Sequence, residues 1–399
     1  MLDSLIFVVI GVVLGTFTGL TPGIHVNTVI IVILSLLPVL LERFSVHGVI
    51  ALIIAMSVVH TFVDYIPSIL LGAPMEDSVL SVLPGHRLLL QGRGYEAIHL
   101  TVLGSLGATV VSGAVLPVGI VILPVLYSYA RSALPYILSF VLLYMVYTER
   151  ELKRRTYSIL LIIYSGFLGY LILGSNVLPP KYALFPTLTG LFGIPILLTS
   201  MRANPKIPKQ ELIYSESTYT AGIAMGSAGG ILAGLLPSIG ASQIALIIQN
   251  IFGKDDEKEF LVAIGGVNTA DAIYALFALY LIGTSRSGAS IAVEHIMTDF
   301  TTPDFIFIIS IVLLTTFFAT SITLGLARIF VSKVQCVDYS LFSKVTIAFL
   351  GVLILAFTGW IGMLIAVTAT SIGLIAPSTG IKRSHCMSVL IIPTILYFL

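Results

Sequence analysis

Charged residues are scarce in this sequence. Only 20 Lys or Arg and 19 Asp or Glu occur among 399 residues, which is 10% of the chain, whereas an ordinary soluble domain is roughly a quarter charged. Hydrophobic residues make up 57% and the mean hydropathy is +1.07, so too few polar residues remain to cover a water-facing surface of normal size. The composition predicts a multi-pass protein of the cell membrane, with at most about eleven spans of roughly 20 residues.

Features that define several other protein classes are also missing. The net charge is +1 and the basic residues are scattered, which excludes the basic stripe that nucleic-acid binding requires. The two cysteines, Cys336 and Cys386, lie far apart and form no paired motif for a metal or redox site. No His-Glu-x-x-His, Gly-x-Ser-x-Gly or phosphate-binding loop occurs. We therefore expect no enzyme, no ATP-driven pump, and no cofactor or metal apart from Na⁺ or H⁺ as a coupling ion.

Long apolar stretches separated by short polar joints fill the chain. They predict an all-α polytopic membrane protein with about 10–12 transmembrane or re-entrant helices. The first apolar run lacks the positive flank and cleavage site of a signal peptide, so it is predicted to be an uncleaved helix. A stretch rich in Pro and Gly at 72–96 predicts a re-entrant or interfacial hairpin. The predicted helices are 4–20, 26–41, 47–71, 97–127, 132–147, 156–174, 183–200, 218–236, 239–252, 260–283, 303–331, 343–375 (as two helices) and 386–399.

A polar joint near the midpoint divides the chain, and similar motifs occur in the same order on both sides of it. Residues 201–217 predict a linker between a first membrane repeat, 1–200, and a second, 218–399. Two-fold repeats of polytopic halves are typical of secondary transporters, in which one site opens to each side in turn. We favour an inverted relation between the two halves and leave a parallel relation open. The matched motifs are GLTPGIHVN (19–27) with GLLPSIGAS (234–242), HT and Asp64 with NT and Asp271, SGFLG (165–169) with TGWIG (358–362), and PTLTG (186–190) with PSTG (377–380).

The two GLxP motifs place a proline in the middle of an apolar stretch. Proline breaks a helix because it lacks a donor and clashes with the preceding turn, and such a break inside a bilayer must line a cavity. The new helix starts with a positive N-terminus, which favours an anion. The alternative is two kinks packed closely against neighbouring helices. The first interpretation predicts a substrate pocket formed by Pro22, Gly23, His25, Asn27, Thr28, Pro237, Ser238, Gly240, Ser242 and Gln243.

Ionisable groups beside long apolar runs are costly in a membrane unless they meet a cation, a proton or a partner. Asp271 precedes such a run, and Asn268 and Thr269 lie within one helical turn of it. These residues predict an ion-coupling site for Na⁺ or H⁺, with His60, Thr61 and Asp64 as its first-half counterpart. The alternative is that each Asp caps a helix at the membrane interface. Arg286, set among small hydroxyl residues, is predicted to bind the substrate's carboxylate or phosphate, with a headgroup anchor as the equal alternative.

At these motifs the chain resembles the large membrane subunit of tripartite tricarboxylate transporters, the TctA-like family, in an archaeal stand-alone branch. The resemblance implies carboxylate import driven by an ion gradient, with a small membrane subunit and an extracytoplasmic binding protein as partners. The family's usual Pro-Gly pair is replaced here by Pro74-Met75 and Pro237-Ser238, and His25 replaces a small residue. The motifs that carry the resemblance are GLTPGIHVNT (19–28), SILLGAPMEDSVLSVLPGHRLLLQGRGYEA (68–97), PTLTGLFGIP (186–195), GLLPSIGASQ (234–243) and NTADA (268–272).

The leading hypothesis for function is a secondary active transporter of small organic anions, di- or tricarboxylate-like, coupled to Na⁺ or H⁺. The substrate would lie between the two broken helices. A translocase for a polyprenyl-phosphate lipid carrier is the alternative, because a phosphate suits the same helix N-termini and Arg286. An intramembrane lipid-modifying enzyme needs a close nucleophile and base, a pair that the sequence does not supply. A homodimer is left open.

Overall fold

The architecture is helical throughout the described part of the chain. A computed structural model describes residues 2–21, 26–72, 80, 82–149, 151–174, 178, 180–203, 208–215, 217–235, 240–252, 257–297, 300–334 and 339–399, and none of them is in a strand. A π-helix at Thr189–Gly193 joins α9 to α10, and a 3₁₀-helix at Arg383–Met387 precedes α18. The α-helices are α1 Leu2–Leu20, α2 Val26–Ser35, α3 Leu37–Leu41, α4 Val46–Val63, α5 Tyr65–Leu71, α6 Val82–Leu90, α7 Gly94–Tyr147, α8 Leu152–Gly174, α9 Pro180–Leu188, α10 Ile194–Ala203, α11 Thr220–Leu235, α12 Ala241–Phe252, α13 Glu257–Ile282, α14 Gly288–Ile296, α15 Thr302–Val334, α16 Tyr339–Gly373, α17 Ile375–Thr379 and α18 Ser388–Phe398.

Seven helical segments within the described residues are long and apolar enough to cross a membrane. Shorter apolar helices, such as Thr220–Leu235 and Ala183–Thr199, accompany them. The predicted class, an all-α polytopic membrane protein, is confirmed. The seven segments are Asp3–Leu20, Val46–Leu71, Gly94–Val125, Leu152–Gly174, Glu257–Ile282, Thr302–Lys333 and Ser343–Thr379.

Prolines leave the long helix α7 continuous, whereas a glycine interrupts the long helix α16. The sequence predicts separate helices at 97–127 and 132–147, but α7 runs continuously for 54 residues with Pro117, Pro124 and Pro135 inside it. Each proline removes only one backbone hydrogen bond, and such prolines are tolerated in membrane helices. In α16 the break does occur: Gly359 adopts φ 63° and ψ −161°, which divides the helix in two as predicted.

Helix α1 packs against α4 through a row of glycines. A Cβ atom on Gly11 would lie 2.5 Å from the carbonyl oxygen of Leu52, and one on Gly15 would lie 2.5 Å from that of Met56. No real side chain fits so close to a backbone oxygen. The two helices therefore pack backbone to backbone, which is the usual role of small residues between membrane helices.

Helix α11 packs against α13 in the same way. A Cβ on Gly226 would lie 2.6 Å from the carbonyl oxygen of Ala263, and one on Gly234 would lie 2.7 Å from that of Asp271. The contact at Gly234 holds the backbone of Asp271 against α11 and so positions the Asp271 side chain.

Helices α4 and α13 cross at the centre of the molecule and run antiparallel. The hydroxyls of Thr61 and Thr269 share a hydrogen bond of 3.1 Å, and the Tyr65 hydroxyl donates to the carbonyl oxygen of Ile264 at 2.8 Å. From Thr61 of α4 to Tyr65 at the start of α5 the contacts ascend along the chain. On α13 they descend from Thr269 to Ile264, which gives the antiparallel direction. In each span 89% of the best apolar window is buried, more than in the other five.

Helices at the end of each predicted half pack against helices at the end of the other half. In the first half α8 packs on α18, where the Ser165 and Ser388 hydroxyls share a hydrogen bond of 2.5 Å. In the second half α16 packs on the π-helix, where a Cβ on Gly190 would lie 2.5 Å from the carbonyl oxygen of Ala366. Each half is thus completed by the closing helices of the other.

The predicted linker is packed rather than loose in its described part. Helix α10 extends to Ala203, and residues 204–207 and 216 lie outside the described residues. The Gln210 side-chain amide donates to the carbonyl oxygen of Leu89 at 2.9 Å and accepts from the Gly94 N–H at 3.0 Å. The linker residues therefore bind the turn between α6 and α7. The boundaries of the two repeats stay a prediction.

Candidate functional site

A cavity of about 650 Å³ lies between the crossing helices α4 and α13 and the starts of three shorter helices. One wall is polar and comes from both predicted halves. Its polar residues are Asn27 of α2, Ser57, His60 and Thr61 of α4, Gln243 of α12, Asn268 and Asp271 of α13, Arg286 of the loop before α14, and Ser287 at the cap of α14.

The cavity gathers many of the residues that the sequence singled out, although those residues are widely separated along the chain. Asp64, Thr269 and Ser242 are buried but do not line the cavity. Pro22, Gly23, His25, Pro237, Ser238 and the side chain of Thr28 lie outside the described residues. The predicted residues on the cavity wall are Asn27, Gly240, Gln243, Asn268, Asp271 and Arg286.

Three helices begin at the cavity. Helix α2 starts at Val26, α12 at Ala241 and α14 at Gly288, and residues at all three starts line the wall. The first N–H groups of a helix have no intrahelical acceptor, and the helix dipole adds partial positive charge there. Three such ends around one cavity favour a negatively charged ligand.

The start of α14 is held tightly against α2. A Cβ on Gly288 would collide with the side-chain amide of Asn27. Ser287 caps α14 by accepting a hydrogen bond from the Ser290 N–H at 3.2 Å. Two of the three helix starts therefore form one rigid part of the wall.

Arg286 brings a positive charge to the same wall. Its Nη2 donates to the Tyr127 hydroxyl at 2.6 Å, and its guanidinium carbon lies 5.1 Å from the centre of that ring. Its Nε is buried and has no hydrogen-bond partner among the described residues. A guanidinium with an unused donor suits a carboxylate or a phosphate, both of which accept paired hydrogen bonds from arginine.

Asp64 joins α4 to α13. It ends α4, with its N–H donating to the His60 carbonyl oxygen, and only 1% of its surface is exposed. One carboxylate oxygen accepts a hydrogen bond of 3.1 Å from the Asn268 amide. Asp64 therefore caps a helix, as the alternative drawn from sequence has it, and it lies buried where α4 and α13 meet.

Glycine packing sets a register between the two helix pairs. Gly15 of α1 lies against Val59 of α4, and Gly230 of α11 lies against Ala270 of α13. The GLxP motifs align Gly15 with Gly230. In packing terms Val59 therefore corresponds to Ala270.

By this register His60, not Asp64, corresponds to Asp271. The same shift pairs Asp64 with Ala275, and their N–H groups lie against equivalent glycines of α1 and α11. This packing register differs from the motif comparison, which matched Asp64 to Asp271 by residue type, and the repeat itself stays a prediction. His60 and Asp271 both line the cavity.

Sequence reasoning missed the apolar wall of the cavity, which includes Thr394, and the polar residues Ser57 and Tyr127. Ser57 lies one helical turn before His60, so helical spacing could have found it; Tyr127 carries no comparable signal. The apolar wall comes from α8, α9 and α18, and its larger residues are Tyr170, Leu173, Leu184, Leu390, Pro393, Leu396 and Tyr397.

Metal-binding geometry is not found in the described part of the chain, where no group of three or more His, Cys, Asp or Glu side chains is placed to hold an ion. Cys386 is buried and unpaired, and Cys336 lies outside the described residues.

Membrane-crossing helices around a cavity lined by helix starts and a guanidinium are typical of a polytopic membrane protein of the transporter class. The chain matches the tripartite tricarboxylate transporter TctA family over residues 5–388, and it belongs to that family. This is a family of transporters and not of enzymes, so the predicted family and membrane location are confirmed. Its members are the large subunits of tripartite transporters, which implies membrane partners and a binding protein.

An archaeal relative spans the same length. The uncharacterized protein MJ1079 of Methanocaldococcus jannaschii is 30% identical over 413 residues, covering 99% of this chain and 99% of the relative. No solved structure matches this chain.

Proposed function

We propose that this protein is a secondary transporter of small organic anions, di- or tricarboxylate-like, that couples their movement to Na⁺ or H⁺. The observation that carries the proposal is the composition of the polar wall. Three helix N-termini and the Arg286 guanidinium face the same cavity as the carboxylate-bearing residue Asp271.

The anion binds where positive charge is concentrated. Arg286 holds one carboxylate of the substrate through its guanidinium group, while the starts of α2, α12 and α14 supply N–H groups and positive dipole ends. Asn27 and Gln243 add amide donors around the same space.

Asp271 supplies the coupling. An ionised carboxylate on the cavity wall repels an anionic substrate, and this repulsion is strong where water is excluded. A cation or proton at Asp271 removes the repulsion, so cation and anion each favour binding of the other. Asn268 and Thr61 line the cavity nearby and offer uncharged oxygens to Na⁺. Asp64 and Thr269 act indirectly by holding α4 against α13.

The two halves are proposed to be inverted repeats. The antiparallel crossing of α4 and α13, the matching glycine packing and the exchange of closing helices support a two-fold axis that passes between His60 and Asp271. An axis in the membrane plane relates inward-open and outward-open states, which is the geometry of alternating access.

The test is uptake of labelled succinate and citrate into proteoliposomes under an imposed Na⁺ or H⁺ gradient. Wild type and Glu151→Gln, an exposed carboxylate outside the cavity, are expected to accumulate substrate under one of the two gradients. Asp271→Asn is expected to lose gradient-driven uptake. Accumulation by Asp271→Asn equal to wild type would contradict the coupling site, and no uptake of any carboxylate by wild type would contradict the anion transporter.

A further inference from the structure

We infer that the substrate is an amphiphilic anion, whose charged head binds the polar wall and whose apolar chain lies along the wall formed by the ends of α8 and α18. The inference rests on the proposed transport of an organic anion, and it replaces the di- or tricarboxylate-like class with an amphiphilic one. It begins from the division of the cavity into two chemically different walls.

The cavity is large for a compact tricarboxylate. Its volume of about 650 Å³ lies in the middle of the range for drug-sized ligands. Citrate has only about thirteen non-hydrogen atoms, so it would fill a minor part of such a space. A longer molecule is needed to occupy both walls at once.

The apolar wall carries no cationic group, and its polar atoms are the hydroxyls of Tyr170, Thr394 and Tyr397. Leu173 of α8, Leu184 of α9 and Leu390 of α18 line this side together with Pro393. Apolar surface of this kind gains affinity when it is covered by hydrocarbon, by about fourfold for each buried methylene. A citrate-like ligand would leave it facing water.

The same wall reaches the outside of the protein. Tyr170, Leu396 and Tyr397 line the cavity, yet 53%, 52% and 69% of their surfaces are exposed. Helix α8 is a candidate span with only 39% of its apolar window buried, so its outer face meets lipid. An apolar chain on this wall therefore extends from the cavity towards the bilayer.

The head group can be a carboxylate or a phosphate. Arg286 and the three helix starts recognise either anion by the same contacts. A fatty-acid-like carboxylate and a lipid phosphate thus share the proposed chemistry, and the probes below separate them.

The experiment measures binding to the full chain in lipid nanodiscs by isothermal titration, with empty nanodiscs subtracted to remove partition into lipid. The probes are hexanoate, octanoate and decanoate, with decyl phosphate as the phosphate arm and decanol as the uncharged control. For wild type we expect the affinity to rise about fourfold per added methylene and decanol to bind weakly.

Variants assign this gain to the apolar wall. Leu173→Asn and, independently, Leu396→Asn introduce an amide at the wall, and each is expected to flatten the dependence on chain length. Leu171→Asn is the matched control, because Leu171 lies on the same helix, is 44% exposed and does not line the cavity. Arg286→Gln is expected to weaken all charged probes together and to leave decanol unchanged.

The outcomes are distinct. Tighter binding of either decyl phosphate or decanoate than of hexanoate, with loss in the wall variants, supports the inference and identifies the head group. Affinity independent of chain length, or an equal gain in the wall variants and in wild type, overturns it. If citrate uptake into proteoliposomes is intact in that case, the proposed function stands without the inference; if neither uptake nor binding of any anion occurs, both fall.

Discussion

The helix pairs α1–α4 and α11–α13 share a packing scheme but not a chemistry. Both pairs hold backbone against backbone through glycines spaced one turn apart. At equivalent positions, however, the first pair carries His60 and the second carries Asp271. The packing frame of the site and its charge are therefore set by separate residues. A symmetric frame suits two equivalent access states, while a single carboxylate at the centre suits one coupled cation.

The largest expected effect is loss of the folded protein when the shared packing is broken. Gly230→Leu drives a side chain into Ala270 and the Val267 carbonyl group, and overpacking costs about 1–3 kcal/mol and occasionally more, most where backbone has to move. We expect little folded protein by size-exclusion chromatography in detergent. Gly113→Leu, at a site with no other atom within 4 Å of a Cβ, is expected to behave like wild type. Equal yields for both variants would refute the packing role of Gly230.

Exchange of the two ionisable groups tests whether the frame is symmetric. Asp271→His alone is expected to lower gradient-driven uptake by roughly 100-fold, the scale of a strong coupling free energy. The double variant with His60→Asp and Asp271→His restores a carboxylate at the equivalent position, and we expect it to recover at least about tenfold of that loss. No recovery in the well-folded double variant would show that the two positions are not interchangeable.

The hydrogen bond between Thr61 and Thr269 offers a smaller test at the crossing of α4 and α13. Thr61→Val leaves the buried Thr269 hydroxyl without this partner, which costs about 1–3 kcal/mol. Replacing both threonines by valine removes the polar pair together and is expected to cost less than the two single changes added. Thermal unfolding of the single and double variants in one detergent measures this. Simple additivity would argue against a direct contact.

The smallest effect is expected at a contact between the halves outside the membrane spans. Burial opposes ionisation of Glu149, but hydrogen bonds from the His385 ring and the Lys382 N–H outweigh it and hold the pKa of Glu149 below its usual value. The folded state therefore favours the ionised carboxylate. This stabilisation is complete above the ordinary pKa of glutamate and is lost as the pH falls through the lowered value.

Glu149→Gln is accordingly expected to reduce the fall in melting temperature between neutral and acidic pH. Glu151→Gln changes a carboxylate that is 63% exposed and serves as the control. The same acid-side slope in wild type and Glu149→Gln would rule out the contribution of this contact.

Much of the fold and part of the site follow from the sequence, because polar groups in a membrane are costly and therefore conspicuous. Asn27, Asp271 and Arg286 stand out for this reason, and the structure brings them to one cavity. Apolar wall residues such as Leu173 do not stand out. In a chain that is 57% hydrophobic, leucines that face lipid, core or cavity look alike.

Residue types also could not predict the register between the two helix pairs or the packing of the linker. Matching Asp64 to Asp271 followed the identity of the side chains, whereas the close approach of glycines follows the geometry of the helices. The polar linker was predicted from its composition, which does not show that Gln210 binds the turn between α6 and α7 through hydrogen bonds. In both cases the deciding partner lies far away in the chain.

The exchange of closing helices has a consequence for how the chain is made. Helix α8 emerges from the ribosome long before α18, and the π-helix at Thr189–Gly193 long before α16. The small-residue faces of Gly169 and Gly190, which approach Val389 and Ala366, stay without their final contacts during most of synthesis. The first half therefore lacks these helix contacts until the second half has been synthesised. Its folding is completed from the C-terminal side, after translation has passed the second half.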